Sequence, residues 1–267
     1  MRKALPLLAA LACTPAPALA ATCGNDGSGF DAWVAAFRSE AAAKGVSQRT
    51  LVALGGVTYS TQVISLDRHQ GHFHKSFEEF GLPRIAQRMA KARRMMQTYG
   101  ATLARIEQQF GVPGAVVIAI WGLETDFGAV MGKQPALRAL ATLAYDCRRT
   151  EKFTAELIDA LKIIDRGDLS AAEMKGAWAG ELGQTQFLPS SYVKFAVDFD
   201  GNGRRDLIRS VPDVLASTAN YLKSYGWKRG QPFCEGTANF DVFKEWNKSA
   251  VYQKTIAVFA QRLMGGE

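Results

Sequence analysis

The chain reads as a mainly α-helical protein, and three observations carry that reading. Apolar residues recur at three- and four-residue spacing along most of the 267 residues. Alternating apolar and polar runs, the mark of half-buried strands, are nearly absent. Serine, proline and glycine stand where helices begin and end. No repeat, low-complexity tract or evident linker divides the chain.

The elements follow in order. Residues 30–45 (FDAWVAAFRSEAAAKG) carry apolar positions at helix spacing and close on Gly45. Ser47 is a candidate cap for a short helix running to Leu54. Residues 55–80 show no clear pattern. Residues 83–111 read as one long helix, or a pair meeting at Gly100, with Pro83 in the first turn and Gly111 at the end. A further helix starts near Pro113 and runs into WGLETDFG. Others fit residues 136–145, 151–165, 211–224 and 242–263.

The first twenty residues, MRKALPLLAALACTPAPALA, have the form of an export leader. Arg2 and Lys3 precede a short apolar stretch, and Ala18-Leu19-Ala20 gives a small-x-small cleavage site. No later run reaches about 18 apolar residues, so no transmembrane helix is expected. The mature chain is expected to be periplasmic and to act as a monomer; Ala10–Cys13 also resembles a lipid-attachment site at Cys13. The formal net charge is +7. Its bases are dispersed, with no block of five, so nucleic-acid binding is not indicated. Cys23, Cys147 and Cys234 remain after the leader, and three pairings are open. Cys23–Cys147 is favoured, because a mature terminus frays unless tied down.

Residues 119–128, AIWGLETDFG, place one glutamate inside an apolar helix. Glu124 and Asp126 are two apart, so they point about 200° away from each other and do not form an acid/base pair. A carboxyl among Ile120, Trp121 and Phe127 has its charged form destabilised, which suits a general acid near neutral pH.

WGLETDFG, ALRALATLAYDCRR and KGAWAGELGQTQFLPSSYVKFAVDFDGNGR occur in that order. Together they resemble the lytic murein transglycosylase B family, over about residues 112–227. GTANFDVFKEWNKSAVY (236–252) is similar to the family's closing active-site segment. The resemblance implies one catalytic domain over residues 21–267. Its lysozyme-like helical core spans about 112–230, with helical flanks at about 21–111 and 231–267. The implied reaction cleaves the MurNAc–GlcNAc β-1,4 bond of peptidoglycan with a single acid, which falls on Glu124. That acid protonates the leaving oxygen, then takes the proton of the sugar's own C6 hydroxyl, closing a 1,6-anhydro ring. The nucleophile is intramolecular and already positioned.

By the same matching, Gln186 is a substrate-binding amide, with both a donor and an acceptor for N-acetyl sugars. Trp246, Asn247, Tyr252 and Phe153 fall on cleft positions, Trp246 and Phe153 where the family often has tyrosine. Ala177 stands where the family commonly has serine. Glu181 replaces a small residue. It is the remaining carboxylate close enough to enter the cleft and activate a water.

Asp198, Asp200 and Asn202 stand at positions 1, 3 and 5 of an acidic loop. Gly203 allows the turn, and Arg204 offers its carbonyl at position 7. Position 12 is Arg209, and the family's shortened EF-hand-like loop takes its last carboxylate at Asp213. Asp206, at position 9, is a candidate for contact through water. The resemblance thus implies a structural calcium ion. His69, His72 and His74 cluster, but their spacing fits neither a zincin helix nor a zinc finger.

The expected partner is the peptidoglycan glycan strand, with other cell-wall enzymes as further candidates. A hydrolytic muramidase and a non-catalytic wall-binding protein are the alternatives. Product analysis separates the first from the leading reading; Ala177 is the best support for the second.

Overall fold

A computed structural model describes residues 22–70 and 75–266. Its centre is the helix α6 (Gly114–Thr125), in which every residue except Leu123 and Glu124 is buried. A helix that is apolar all round must be enclosed by others. The enclosing helices are α4 (Phe77–Thr98), α5 (Gly100–Phe110), α10 (Val211–Ser224) and α12 (Ala250–Leu263). Beside them α7 (Ala136–Tyr145), α8 (Thr150–Asp165) and α9 (Pro189–Phe195) form a second packed group. α1 (Phe30–Ala43), α2 (Gln48–Leu51) and α3 (Thr61–Arg68) close over that group, and α11 (Ala238–Trp246) leads into α12. The only sheet among the described residues is one antiparallel pair, β1 (Gln134–Pro135) with β2 (Lys175–Gly176). The mainly α reading therefore holds.

Several caps behave as the sequence suggests. The Ser47 hydroxyl accepts the N–H of Thr50, and α2 continues as a 3-10 turn to Leu54. Gly111 ends α5 in the left-handed conformation. Three expectations need correction. α4 starts at Phe77, six residues before Pro83, because Ser76 and Glu79 form a reciprocal capping box. The expected helix over 242–263 is two helices: Thr237 and Ser249 each cap a separate start, and the Asn247 side chain accepts the N–H of Ser249 between them. Residues 55–80 hold α3 as well as the start of α4, and α9 was not anticipated.

Cys23 and Cys147 are joined at a sequence separation of 124, and Cys234 is a free, exposed thiol. Backbone bonds from Gly24 N–H to Tyr145 and from Cys147 N–H to Gly24 hold the same segment. A Cβ on Gly24 would lie 2.0 Å from the Tyr145 hydroxyl, so this close approach requires glycine. Nearby, buried Asp67 pairs with Arg68, Arg148 and Arg149, and Arg68 also reaches Asp146 at 2.6 Å. Asp67 thus ties α3 to the turn before α8.

The leader, Cys13, His72 and His74 lie outside the described residues. His69 caps the end of α3, its Nδ1 at 2.7 Å from the Ser65 carbonyl. No single described helix is long and apolar enough to cross a membrane.

Candidate active site

Glu124 sits in the last turn of α6 and is the only ionisable side chain of that helix. Its Oε1 accepts two hydrogen bonds, from Trp246 Nε1 at 2.8 Å and from the Tyr252 hydroxyl at 2.7 Å. Oε2 has no protein partner among the described residues. The break between α11 and α12 lets one residue before it and one after it converge on the same oxygen. Burial raises the carboxyl above its ordinary range, the two donors pull it back, and Glu181 raises it further. A proton on this group therefore belongs on Oε2, the oxygen left free of the protein.

Glu124 opens onto a cleft of about 410 Å³. Ala177, Gln186, Trp246 and Asn247 line it, together with Glu181, Thr185, Phe187, Leu188, Ser191, Tyr221 and Glu245. The wall opposite α6 is the loop 176–188, locked to the helix from behind. Gln184 Oε1 accepts Trp121 Nε1 at 2.8 Å, and Thr125 Oγ1 donates to the Gln184 carbonyl at 2.5 Å. Buried Glu156 of α8 accepts the N–H and hydroxyl of Ser190, fixing the start of α9.

Gln186 reaches the cleft at a φ of 55°, a left-handed position that a residue other than glycine occupies at a cost. Its Nε2 donates to the carbonyls of Gly183 at 2.8 Å and Met131 at 3.3 Å. The expected donor-and-acceptor role is thereby narrowed: the amide oxygen is the part left for a ligand. Trp246 is not a free stacking platform, because its ring lies edge-on to Phe187 and Tyr221 and its N–H is used by Glu124. Tyr252 stands behind Glu124 and does not line the cleft; burial and the neighbouring Glu124 keep its hydroxyl protonated far above its usual range. Phe153 is a correction. It is 1% exposed inside α8, covered by Arg149 and Lys152, and does not line the cleft. Helix packing turns that face of α8 inward.

Asp126 is separate from this chemistry. It ends α6 in the left-handed conformation, and Lys91 and Arg88 pair with its carboxylate at 3.2 and 3.8 Å. Glu181, by contrast, does enter the cleft beside Glu124. Glu124 is therefore not the only carboxylate lining the cleft, since Glu181 and Glu245 line it too.

The transglycosylase SLT domain family matches residues 29–236. The chain belongs to the SLT transglycosylase family. Over 133 residues it is 43% identical to membrane-bound lytic murein transglycosylase B of Escherichia coli (strain K12), covering 49% of this chain and 37% of that protein. The chain thus spans little more than a third of that relative. Its fold is similar to the crystal structure of SltB3 from Pseudomonas aeruginosa in complex with NAG-anhNAM-pentapeptide. The TM-score is 0.84 at 31% identity, over 90% of this chain and 80% of that one. The Escherichia coli lytic transglycosylase Slt35 in complex with calcium shares the fold, with a TM-score of 0.76 at 24% identity over 91% and 96% of the two chains.

In this SLT-family chain the carboxylates of Asp198, Asp200 and Asp213 converge, with one oxygen of each within 4.8 Å of the others. Asp213 is fully buried, and burial raises its carboxyl. Backbone N–H groups of Gly201, Asn202 and Gly203 wrap Asp198, and the Asn202 side chain accepts the N–H of Arg204. Asp206 is not available to the loop: it is bonded to the N–H groups of Ile208 and Arg209 and paired with the Arg209 side chain. Arg209, the mismatch at position 12, also binds Glu173 at 2.6 Å. Serine bonds and Arg209 hold Glu173 well below the usual carboxylate range, at about 2.

Sequence reading missed Thr185, Tyr221 and Glu245 as cleft residues. Nothing local marks them, since Thr185 and Tyr221 look like core and Glu245 like a solvated helix face.

Proposed function

We propose that this chain cleaves the MurNAc–GlcNAc β-1,4 bond of peptidoglycan without water, with Glu124 as its single acid and base. The observation that carries this is the asymmetry of Glu124. Oε1 is fixed by two donors, and Oε2 is left free for a proton facing the cleft. Oε2–H protonates the glycosidic oxygen as the bond to C1 breaks. The resulting carboxylate, steadied by Trp246 and Tyr252, withdraws the proton from the C6 hydroxyl as that oxygen closes on C1. The two donors strengthen as charge develops on Glu124, which favours the step in which it becomes an anion. The Gln186 amide oxygen accepts from the substrate, and Asn247 lies beside it on the cleft wall. The anhydro-sugar ligand of the SltB3 relative supports the same product here. Cys23–Cys147 supports action outside the cytoplasm, where disulfides persist.

Digestion of sacculi in heavy-oxygen water tests the reaction. The expected product is 1,6-anhydro-MurNAc without solvent label. Predominant label at new reducing ends would make the enzyme a muramidase instead.

The donors give a second test. Glu124 is active as an acid only below its pKa, so activity falls as pH rises through that value. Tyr252→Phe removes a donor that favours the anion, so the pKa rises and the alkaline limb of kcat/KM moves to higher pH. An unmoved or lowered limb would remove Tyr252 from this role.

Asp198, Asp200 and Asp213 supply the hard oxygen set that calcium prefers, and we propose that the loop binds it structurally. The ion would offset the negative charge gathered around buried Asp213. At about 100 times its Kd, calcium should stabilise the fold by about 2.7 kcal/mol, which corresponds to roughly 5–10 °C in Tm. Asp198→Ala should abolish the response. Identical melting curves in calcium and EDTA would leave the loop as a turn.

A further inference from the structure

Glu181 lies in the cleft but has no part in the steps above. Its carboxylate is held through Oε2 by the N–H of Ala179 at 3.2 Å. No lysine or arginine forms an ion pair with it among the described residues. The two cations whose charges act on it, Arg149 and Lys152, lie beyond ion-pair distance. Arg149 lies over the Phe153 ring and pairs with Asp67, and the Lys152 ammonium stands 5.4 Å above the same ring. The backbone at Glu181 is pinned. Ala177 N–H bonds the Glu181 carbonyl, and a Cβ on Gly176 would lie 1.7 Å from that oxygen.

The acids of the cleft are not equivalent. Glu124 has two side-chain donors, and Glu245 has Lys248 at 3.5 Å. Glu181 alone has neither an ion pair nor a side-chain donor, and the charges of Arg149 and Lys152 reach it only from beyond ion-pair distance. The cleft lining contains no lysine, arginine or histidine, although the chain as a whole carries +7. A carboxylate withdrawn from water without a close ion pair is costly, and burial accordingly raises the Glu181 carboxyl above its ordinary range. No cation lines the cleft, so a cationic group on a ligand would be the first to meet this carboxylate directly.

We infer that Glu181 receives a protonated amine of the bound glycan strand, so that the cleft favours strands carrying a free ammonium beside the scissile bond. The inference rests on the peptidoglycan reading above and adds to it a substrate preference. An ammonium brings three donors and a full charge to the carboxylate, whereas an acetamide brings a neutral N–H. Two sources share this chemistry: a sugar that has lost its N-acetyl group, and an amine on the attached peptide.

Three substrates separate the sources: N-acetylated strands stripped of peptide, the same strands partly de-N-acetylated, and N-acetylated strands that keep their peptides. Values of kcat/KM are compared for the unaltered protein, Glu181→Gln and Glu181→Asp. In one of the two amine-bearing substrates the preference over the amine-free strand should fall about tenfold in Glu181→Gln. Glu181→Asp keeps the charge and should retain part of it. Binding of glucosamine and N-acetylglucosamine tetramers, measured by calorimetry, gives a readout independent of turnover. Equal preference in the unaltered protein and Glu181→Gln, in cleavage and in binding, overturns the inference while leaving the reaction intact. Failure of the unaltered protein to cleave any of the three strands would sink the reaction itself, and the inference with it.

Discussion

Glu124→Gln should lower turnover of sacculi by on the order of 10²–10⁴-fold, the usual share of a general acid, while leaving the fold unchanged. Glutamine is nearly isosteric, and its amide oxygen can occupy the place of Oε1 between Trp246 Nε1 and the Tyr252 hydroxyl. The NH₂ group then faces the cleft where Oε2 stood. It offers a hydrogen bond but no acidic proton, so the leaving oxygen departs unprotonated. Circular dichroism and the melting temperature should match those of the unaltered protein, since no buried partner is left unpaired. A correctly folded variant with near-normal activity would move the chemistry away from Glu124. In that event Glu181 would be the first group to test, because it shares the cleft.

Loss of the disulfide should be the largest effect on stability. Cys23 and Cys147, at a sequence separation of 124, close a loop that contains α1 to α7. Opening a loop of that size costs about 2–5 kcal/mol, or roughly 5–20 °C in Tm for a chain of this length. The double substitution Cys23→Ser with Cys147→Ser is the clean form of the experiment, since it leaves no unpaired partner to react with exposed Cys234. Non-reducing thermal melts of the two proteins measure the difference. A shift under about 2 °C would mean that the backbone bonds of Gly24 hold this segment without the bridge, because ~1 kcal/mol already moves Tm by that much.

What was legible in the sequence was what short-range chemistry decides. α7 and α10 fall where periodicity places them, and Ser47 and Gly111 act where their side chains or lack of one predict. The apolar run around Glu124 correctly announced a buried helix with one costly carboxyl. The misses have a common cause in contacts between distant segments. Apolar spacing runs on through Asn247, so the break between α11 and α12 was invisible, although Ser249 is a serviceable cap. Trp246 and Phe153 were both read as cleft aromatics. Only packing decides that one spends its N–H on Glu124 while the other turns into the core. Gln186 was read as a two-way amide, and its nitrogen is taken by two carbonyls that no pattern foretells. Family resemblance drew attention to these residues, but it could not say which atom of each is free.

The two donors to Glu124 lie 122 and 128 residues after it in the chain. A polypeptide emerges from its amino end at roughly 5–20 residues per second. For several seconds of synthesis the acid therefore exists without either partner, and α6 is without the helix α12 that packs along it. The surroundings of Glu124 are completed only by helices that follow it by more than a hundred residues. On the proposed reading, an enzyme that cuts the cell wall is thus without the two donors to its acid until synthesis has run well past α6 and α12 has docked.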